Sequence, residues 1–426
     1  MFNDTDNKNI VFNAKIPAVK YEIISQQGAY GCRRSVGAGG YDVSSDRTML
    51  CWHEGGMDIM TCQYDHVTNK WSDKRMVCKN NMTGKWDYHN YPVMIIAPNG
   101  KALIFYCIHS NKMFQLTPDE VHSVDTGYTK KIICEDQTGY PHPVVYKDTI
   151  YIFYSRNQEI SWPYRPLCYI KSTDSGATWS EPVTVIDSGK CDPWKFDEVY
   201  QCDGKFAPAD GVHPDRILLG WNMWGGPGGH AAQGNGAYFA YLSMEDEKMY
   251  AADGKCLGDT ISYADMEKYC MVERTMSSDT VSHTITMVLC ENLPGGGHIV
   301  VTGRRNPENA ADSIHCSIYR DGAWQTEIID DRTAVAKDII YDYEKNALRL
   351  ACNLSQKLVI YEYKDGVWQV ESATDIPYAN GANSVPYINF IKGYRKRCQL
   401  LLATIDNRCA MEDYSGKWPV IMYGEW

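Results

Sequence analysis

The chain predicts an all-β fold: a single β-propeller spanning residues 1–426, with seven blades of four-stranded antiparallel sheet. Three observations point there. Short strand-like runs recur with turn signals between them, no long amphipathic helix competes with them, and a tryptophan-ended turn recurs at a blade-like spacing.

The strand-like runs come in order at residues 48–53, 59–64, 102–108, 149–154, 167–172 and 217–221. They continue at 237–242, 284–289, 299–302, 313–319, 347–352, 357–363, 400–405 and 420–423. The best helical candidate, 263–275, is short. The turn Ser172-Thr173-Asp174-Ser175-Gly176-Ala177-Thr178-Trp179 is a complete Asp-box, the turn of sialidase-type propellers. Asp caps turn amides, Gly takes the positive φ, and Trp packs between sheets. Degenerate relatives end at Trp71, Trp324 and Trp368, and the last two tryptophans lie 44 residues apart. The box sits on the blade rim, so its role is structural. No Pro/Ser/Gly linker divides the chain.

Composition narrows the partners. The chain is 44% hydrophobic and 12% aromatic, with 30 Tyr and 12 Trp, which suits sheets and carbohydrate-facing clefts. A net charge of −11 argues against nucleic acid, whose recognition rests on basic residues, but leaves room for a local cluster that binds an anionic saccharide. No apolar run reaches the length of a membrane helix. No leader is visible at the amino terminus, and the 16 cysteines form no regular framework, which points to a reducing cytosol. Cys191, Cys202, His213 and His230 have zinc-ligand chemistry but no compact ligand spacing, so neither metal nor cofactor is expected.

Two hairpins carry candidate chemistry. In the first, Pro98-Asn99-Gly100 turns between two apolar strands, with His89 and His109 at their outer ends. In the second, residues 140–156 fold about Lys147-Asp148, which brings Tyr140 and Arg156 out together. In a propeller the inner strands of successive blades deliver their ends to one axial face, so the four residues converge. His142 is expected elsewhere. Trp221 is expected in the core, while Trp224 and His230, flanking a glycine-rich loop, are candidate sugar contacts.

The segments Asp87-Tyr88-His89-Asn90-Tyr91-Pro92, Tyr140-Pro141, Phe153-Tyr154-Ser155-Arg156 and Gly220-Trp221-Asn222-Met223-Trp224 resemble the BNR-repeat propeller family that contains the ulvan lyases and related rhamnose–glucuronate lyases. The likeness covers roughly the first two-thirds of the chain and fades beyond about Gly258. It implies β-elimination on a uronate-containing, rhamnose-linked, anionic poly- or oligosaccharide. Such cleavage removes the C5 proton and expels O4, and the C5 proton becomes acidic only when the neighbouring carboxylate is neutralised. Arg156 is a fixed bidentate cation for that carboxylate, and Asn90 adds a hydrogen bond. His89 is the base, with His109 as its partner or a second carboxylate contact. Tyr140 protonates the leaving oxygen or shuttles a proton.

Two other readings compete. One is a rhamnosidase-like glycoside hydrolase on the same propeller; this needs two carboxylates, for which only Glu54 and Asp87 offer themselves. The other is a glycan-binding propeller without catalysis.

Overall fold

Strands buried on both faces need apolar residues at every position, and this sets the middle of each sheet. Arg216–Trp224 and Gly236–Ser243 are buried throughout, and Ala102–Cys107 is too. Such runs read clearly from sequence because they do not alternate. The described residues of every run anticipated above lie in a strand, usually one that extends a residue or more further; Ile108 and Ile405, which end two of the runs, lie outside the described residues. The expected helix at 263–275 is only partly helical: a short turn, Tyr263–Asp265, passes into a π turn, Met266–Cys270, and then into the strand Met271–Arg274.

The computed structural model describes residues 19–28, 37–54, 58–79, 91–107, 111–157, 165–188, 198–224, 236–274, 284–306, 312–332, 334–354, 357–376, 387–393, 398–404 and 420–426. These are nearly all β, in several four-stranded antiparallel sheets of meander order. Thr284–Asn292, His298–Arg305, Asp312–Arg320 and Ala323–Asp330 form one; Ala334–Asp342, Ala347–Leu354, Lys357–Lys364 and Val367–Asp375 form the next. The chain ends meet in another, where Lys20–Ser25 is the outer strand beside Val420–Glu425. One long strand, Tyr128–Tyr146, serves two meanders. Its first half pairs with Asn111–Pro118 and its second half with Thr149–Asn157.

The first strands of the meanders lie side by side in chain order. Gly37–Asp42 touches Val93–Ile96, followed by Tyr128–Tyr146, Glu198–Ala207, Thr284–Asn292, Ala334–Asp342 and Tyr387–Ile391, which returns to Gly37–Asp42. They surround a channel of about 920 Å³. One wall of the channel is apolar and tightly packed: a Cβ added to Gly39 would meet Leu50 Cδ2 at 2.7 Å. The opposite wall is charged, carrying Asp203, Lys205, Glu291 and Asp338, while Lys392 borders Gly40.

The charged wall ties neighbouring strands together. Asp203 accepts the backbone N–H of Cys290 at 3.0 Å, Glu291 that of Tyr341 at 3.2 Å, and Asp338 that of Phe390 at 2.8 Å. Each carboxylate thus clasps the next inner strand. Lys205 Nζ reaches Asp338 at 3.3 Å and Asp203 at 3.6 Å, and donates to the Ile339 carbonyl. Burial opposes its charge, but the surrounding carboxylates more than offset this and hold its pKa above the ordinary value. Burial pushes Glu291 up to about 7, despite opposing contributions from Lys205 and Lys392. Burial and the nearby Lys205 lower the pKa of Lys392.

The turn at residues 172–179 joins the third and fourth strands of its meander. Ser172 Oγ donates to Asp174 at 2.7 Å, Asp174 accepts the Thr178 N–H and hydroxyl, and Trp179 Nε1 donates to Gln115 at 2.8 Å. These bonds hold the Asp174 carboxyl down at about 2. The turns before Trp324 and Trp368 are shorter. There Asp321-Gly322 and Asp365-Gly366 take positive φ as two-residue hairpin turns, also between third and fourth strands.

Two predictions follow from the channel. The folded pKa of Glu291, about 7, exceeds its ordinary 4.5, so the folded protein keeps a proton that the unfolded chain has lost between those values. The stability this gives is fully present below the lower value and is lost as pH rises through the upper one, a swing of about 3 kcal/mol. Urea unfolding of Glu291→Gln should therefore show a shallower fall in stability across that window than the parent; parallel curves would refute it. Lys205→Ala leaves buried carboxylates uncompensated and should cost about 3–5 kcal/mol in the same measurement.

Candidate active site

The second hairpin is built around a defect that places its tyrosine. Between Gly139↔Ser155 and His142↔Phe153 the register shifts through a bulge. Tyr140 occupies the bulge with φ 57°, a left-handed conformation that costs a non-glycine residue about 1–3 kcal/mol. The bulge changes the pairing: Arg156 stands opposite Thr138. Simple counting from the turn assumes an unbroken ladder, which would set it opposite Gly139, and the one extra residue of the bulge shifts it.

The strained backbone sends Tyr140 into an aromatic cluster with Tyr91, Tyr200 and Trp224. The Tyr140 and Tyr200 hydroxyls are 2.5 Å apart, and both rings are buried. Trp224 stacks on Tyr200, with centroids 4.4 Å apart and an interplanar angle of 18°. Trp224 is only 5% exposed, so its place is behind Tyr200 rather than at an open surface. The Arg165 guanidinium lies 5.6 Å from the Tyr200 ring centroid. Arg165 is buried beside Glu198, with an N–O distance of 3.5 Å.

Arg156 is partly exposed, and its Nε donates to Asp136 at 3.0 Å. Asp136 also accepts from the Tyr154 hydroxyl at 2.9 Å. Burial opposes the guanidinium charge, but Asp136 more than offsets that and raises its pKa. The Cys168 thiol also lies against the guanidinium.

His142 turns into the axial channel, where its Nε2 donates to the Gly204 carbonyl at 2.7 Å, apart from the tyrosine cluster. Trp221 is fully buried and stacks on Tyr238, as a core residue. Glu54 is engaged by Ser25, by Trp52 Nε1 at 3.2 Å and by Lys74 at 2.9 Å, so it is a structural carboxylate. His213 packs on His298 and bonds Asp210, while Cys202 contributes to a different, apolar cluster. Among the described residues no group of His, Cys, Asp and Glu could hold a metal ion. His89, Asn90, His109, His230, Asp87 and Cys191 lie outside the described residues.

Sequence reasoning missed Tyr200, Arg165, Glu198 and Asp136. Tyr200 carried one signal, its position near the start of an inner strand, the placement that singled out Tyr140. The others are distant in sequence from their partners and no local pattern marks them.

No family model and no curated protein sequence matches the chain. Its fold is shared with solved polysaccharide lyases. An ulvan lyase bound to -[GlcA(1-4)Rha3S]- aligns with TM-score 0.70 at 15% identity, covering 94% of each chain. The polysaccharide lyase Uly1 aligns with TM-score 0.63 at 13% identity, covering 94% of this chain and 92% of its own. No helix among the described residues is long and apolar enough to cross a membrane.

The Asp136 contact gives a stability prediction. Asp136→Ala removes the acceptor for both Arg156 and Tyr154 and should cost about 1–3 kcal/mol in urea unfolding. An unchanged midpoint would mean that the contact contributes nothing.

Proposed function

We propose that the protein is a single seven-bladed propeller and a lyase, cleaving a uronate-containing, rhamnose-linked glycan by β-elimination. The observation that carries this reading is Tyr140, held in a strained bulge with its hydroxyl against that of Tyr200. Strain of this kind persists where the surroundings over-determine it, as at a reacting centre. The shared fold with ulvan lyases supports the reading, as does Arg156 on the adjoining strand.

In this mechanism Arg156 grips the uronate carboxylate and makes the C5 proton acidic. Asn90 supplies a further hydrogen bond. His89 takes the C5 proton as a neutral imidazole, with His109 as its partner or a second carboxylate contact. The C4–O4 bond breaks as the C4=C5 double bond forms, and Tyr140 gives its proton to O4. Trp224 backs the aromatic wall, and His230 is a substrate contact from the glycine-rich loop. No step calls for a metal or a cofactor.

The test is ultraviolet absorbance of the unsaturated uronate on incubation with glucuronate-rich glycans, with product masses measured alongside. Elimination products are lighter than hydrolysis products by one water. Tyr140→Phe should lower kcat by about 100- to 10,000-fold with the fold retained. Arg156→Lys should not restore activity lost in Arg156→Ala, because an ammonium cannot make the bidentate grip. Saturated products would replace this reading with hydrolysis, and binding without turnover would replace it with a lectin-like role.

A further inference from the structure

We infer that Asp136 is the positioning residue for Arg156: with the buried Tyr154 phenol behind it, its carboxylate fixes the guanidinium where it meets the uronate carboxylate of the glycan. This rests on the lyase reading above and adds the support that holds its cation.

The strand Tyr128–Tyr146 is irregular on both sides of the point where it pairs with Arg156. Gln137, Thr138 and Gly139 stand opposite Asn157, Arg156 and Ser155 in an unbroken ladder. Past Gly139 comes the bulge that holds Tyr140. Before Gln137 the pairing with Asn111–Pro118 passes from Cys134↔Met113 to Thr138↔Asn111, a second irregularity. Asp136 lies within it, two residues from Thr138 and so a diagonal neighbour of Arg156. The two departures therefore set Asp136 and Tyr140 on either side of the short paired stretch.

The contacts form a chain of defined polarity. Cys134 Sγ donates to the Tyr154 hydroxyl at 3.5 Å, and that hydroxyl donates to Asp136 Oδ2 at 2.9 Å. Arg156 Nε lies 3.0 Å from the same oxygen. Tyr154 is fully buried, so its hydroxyl holds Asp136 from a fixed position. The fold needs Asp136 as the acceptor for this buried phenol. It does not need a guanidinium there, because the Arg156 side chain is 33% exposed and water would solvate its charge.

What the pair supplies is a cation set in place before the glycan arrives. Asp136 at Nε and the Cys168 thiol restrain the guanidinium, which meets a carboxylate at lower entropic cost than a loose side chain. A guanidinium carries five N–H donors, more than these two contacts occupy. As the C5 proton leaves, negative charge moves onto the uronate carboxylate, so a misplaced cation loses much of its effect.

Asp136→Asn keeps the shape of the side chain and one acceptor oxygen but removes the charge. On a glucuronate-rich glycan its kcat should fall about 10- to 100-fold, in protein shown to be folded by circular dichroism. Tyr154→Phe keeps the buried ring, removes the donor behind Asp136 and should lower kcat about 3- to 10-fold. It also serves if Asp136→Asn fails to fold. The deciding measurement is a cycle with Arg156→Ala. In that background each change should alter turnover by less than about twofold, because no guanidinium is left to position. A loss that carries over undiminished into that background, or parental kcat in both single variants, overturns the inference. The lyase reading fails separately, if the parent releases no unsaturated product. The same cycle is then read in calorimetric affinity for a glucuronate–rhamnose tetrasaccharide, with the same outcomes deciding. A parent that does not bind the tetrasaccharide either overturns both readings.

Discussion

The architecture depends on how the innermost strand of each meander satisfies its open edge. A sheet's first strand carries a row of N–H and C=O groups with no partner on one side. Among the described residues no ladder joins neighbouring inner strands around this channel. On one wall, carboxylates from Asp203, Glu291 and Asp338 each take the N–H of the following inner strand. Elsewhere the link is His142 Nε2 to the Gly204 carbonyl, or the Tyr41 N–H to the Lys392 carbonyl at 3.2 Å. Hydrogen bonds of this kind contribute little individually, but a buried amide left without one is costly, so the clasps decide whether the inner strands can close.

That arrangement explains the charge in an otherwise apolar core. Three carboxylates in one enclosed wall repel one another, and Lys205 sits among them with contacts to two. Glu291 has no such direct contact with Lys205; its two oxygens are held by the backbone N–H groups of Asn292 and Tyr341. Burial raises its proton affinity against those bonds and against the charge of Lys205.

The sequence announces the middle strands and hides the inner ones, and the physics of burial accounts for both. Ala102–Cys107 and Gly236–Ser243 are buried on both faces, so their apolar runs are continuous and easily read. Gly37–Asp42 and the Asp203-Gly204-Lys205 stretch line a channel, and there glycine and charge replace the apolar pattern. Those segments carry no strand signal by composition. The tryptophan-ended turns were legible because a turn is local, while the clasps join residues as far apart as Asp203 and Cys290. At the site, Tyr140 and Arg156 could be singled out from the hairpin they share, but not their true partners. Tyr200 and Asp136 become visible only once the bulge has shifted the register.

The bulge is where the fold and the site meet. Just beyond Tyr140 the chain becomes an inner strand, and His142 must face the channel to bond Gly204. In an unbroken strand Tyr140 and His142, two residues apart, would share a face. One of them would then have to abandon its partner. The positive φ at Tyr140 separates the two directions, so the histidine can serve the channel while the phenol serves the aromatic cluster. The strain at Tyr140 is thus the cost of placing its phenol in the aromatic cluster beside a load shared by the inner strands, and relieving it would disturb both.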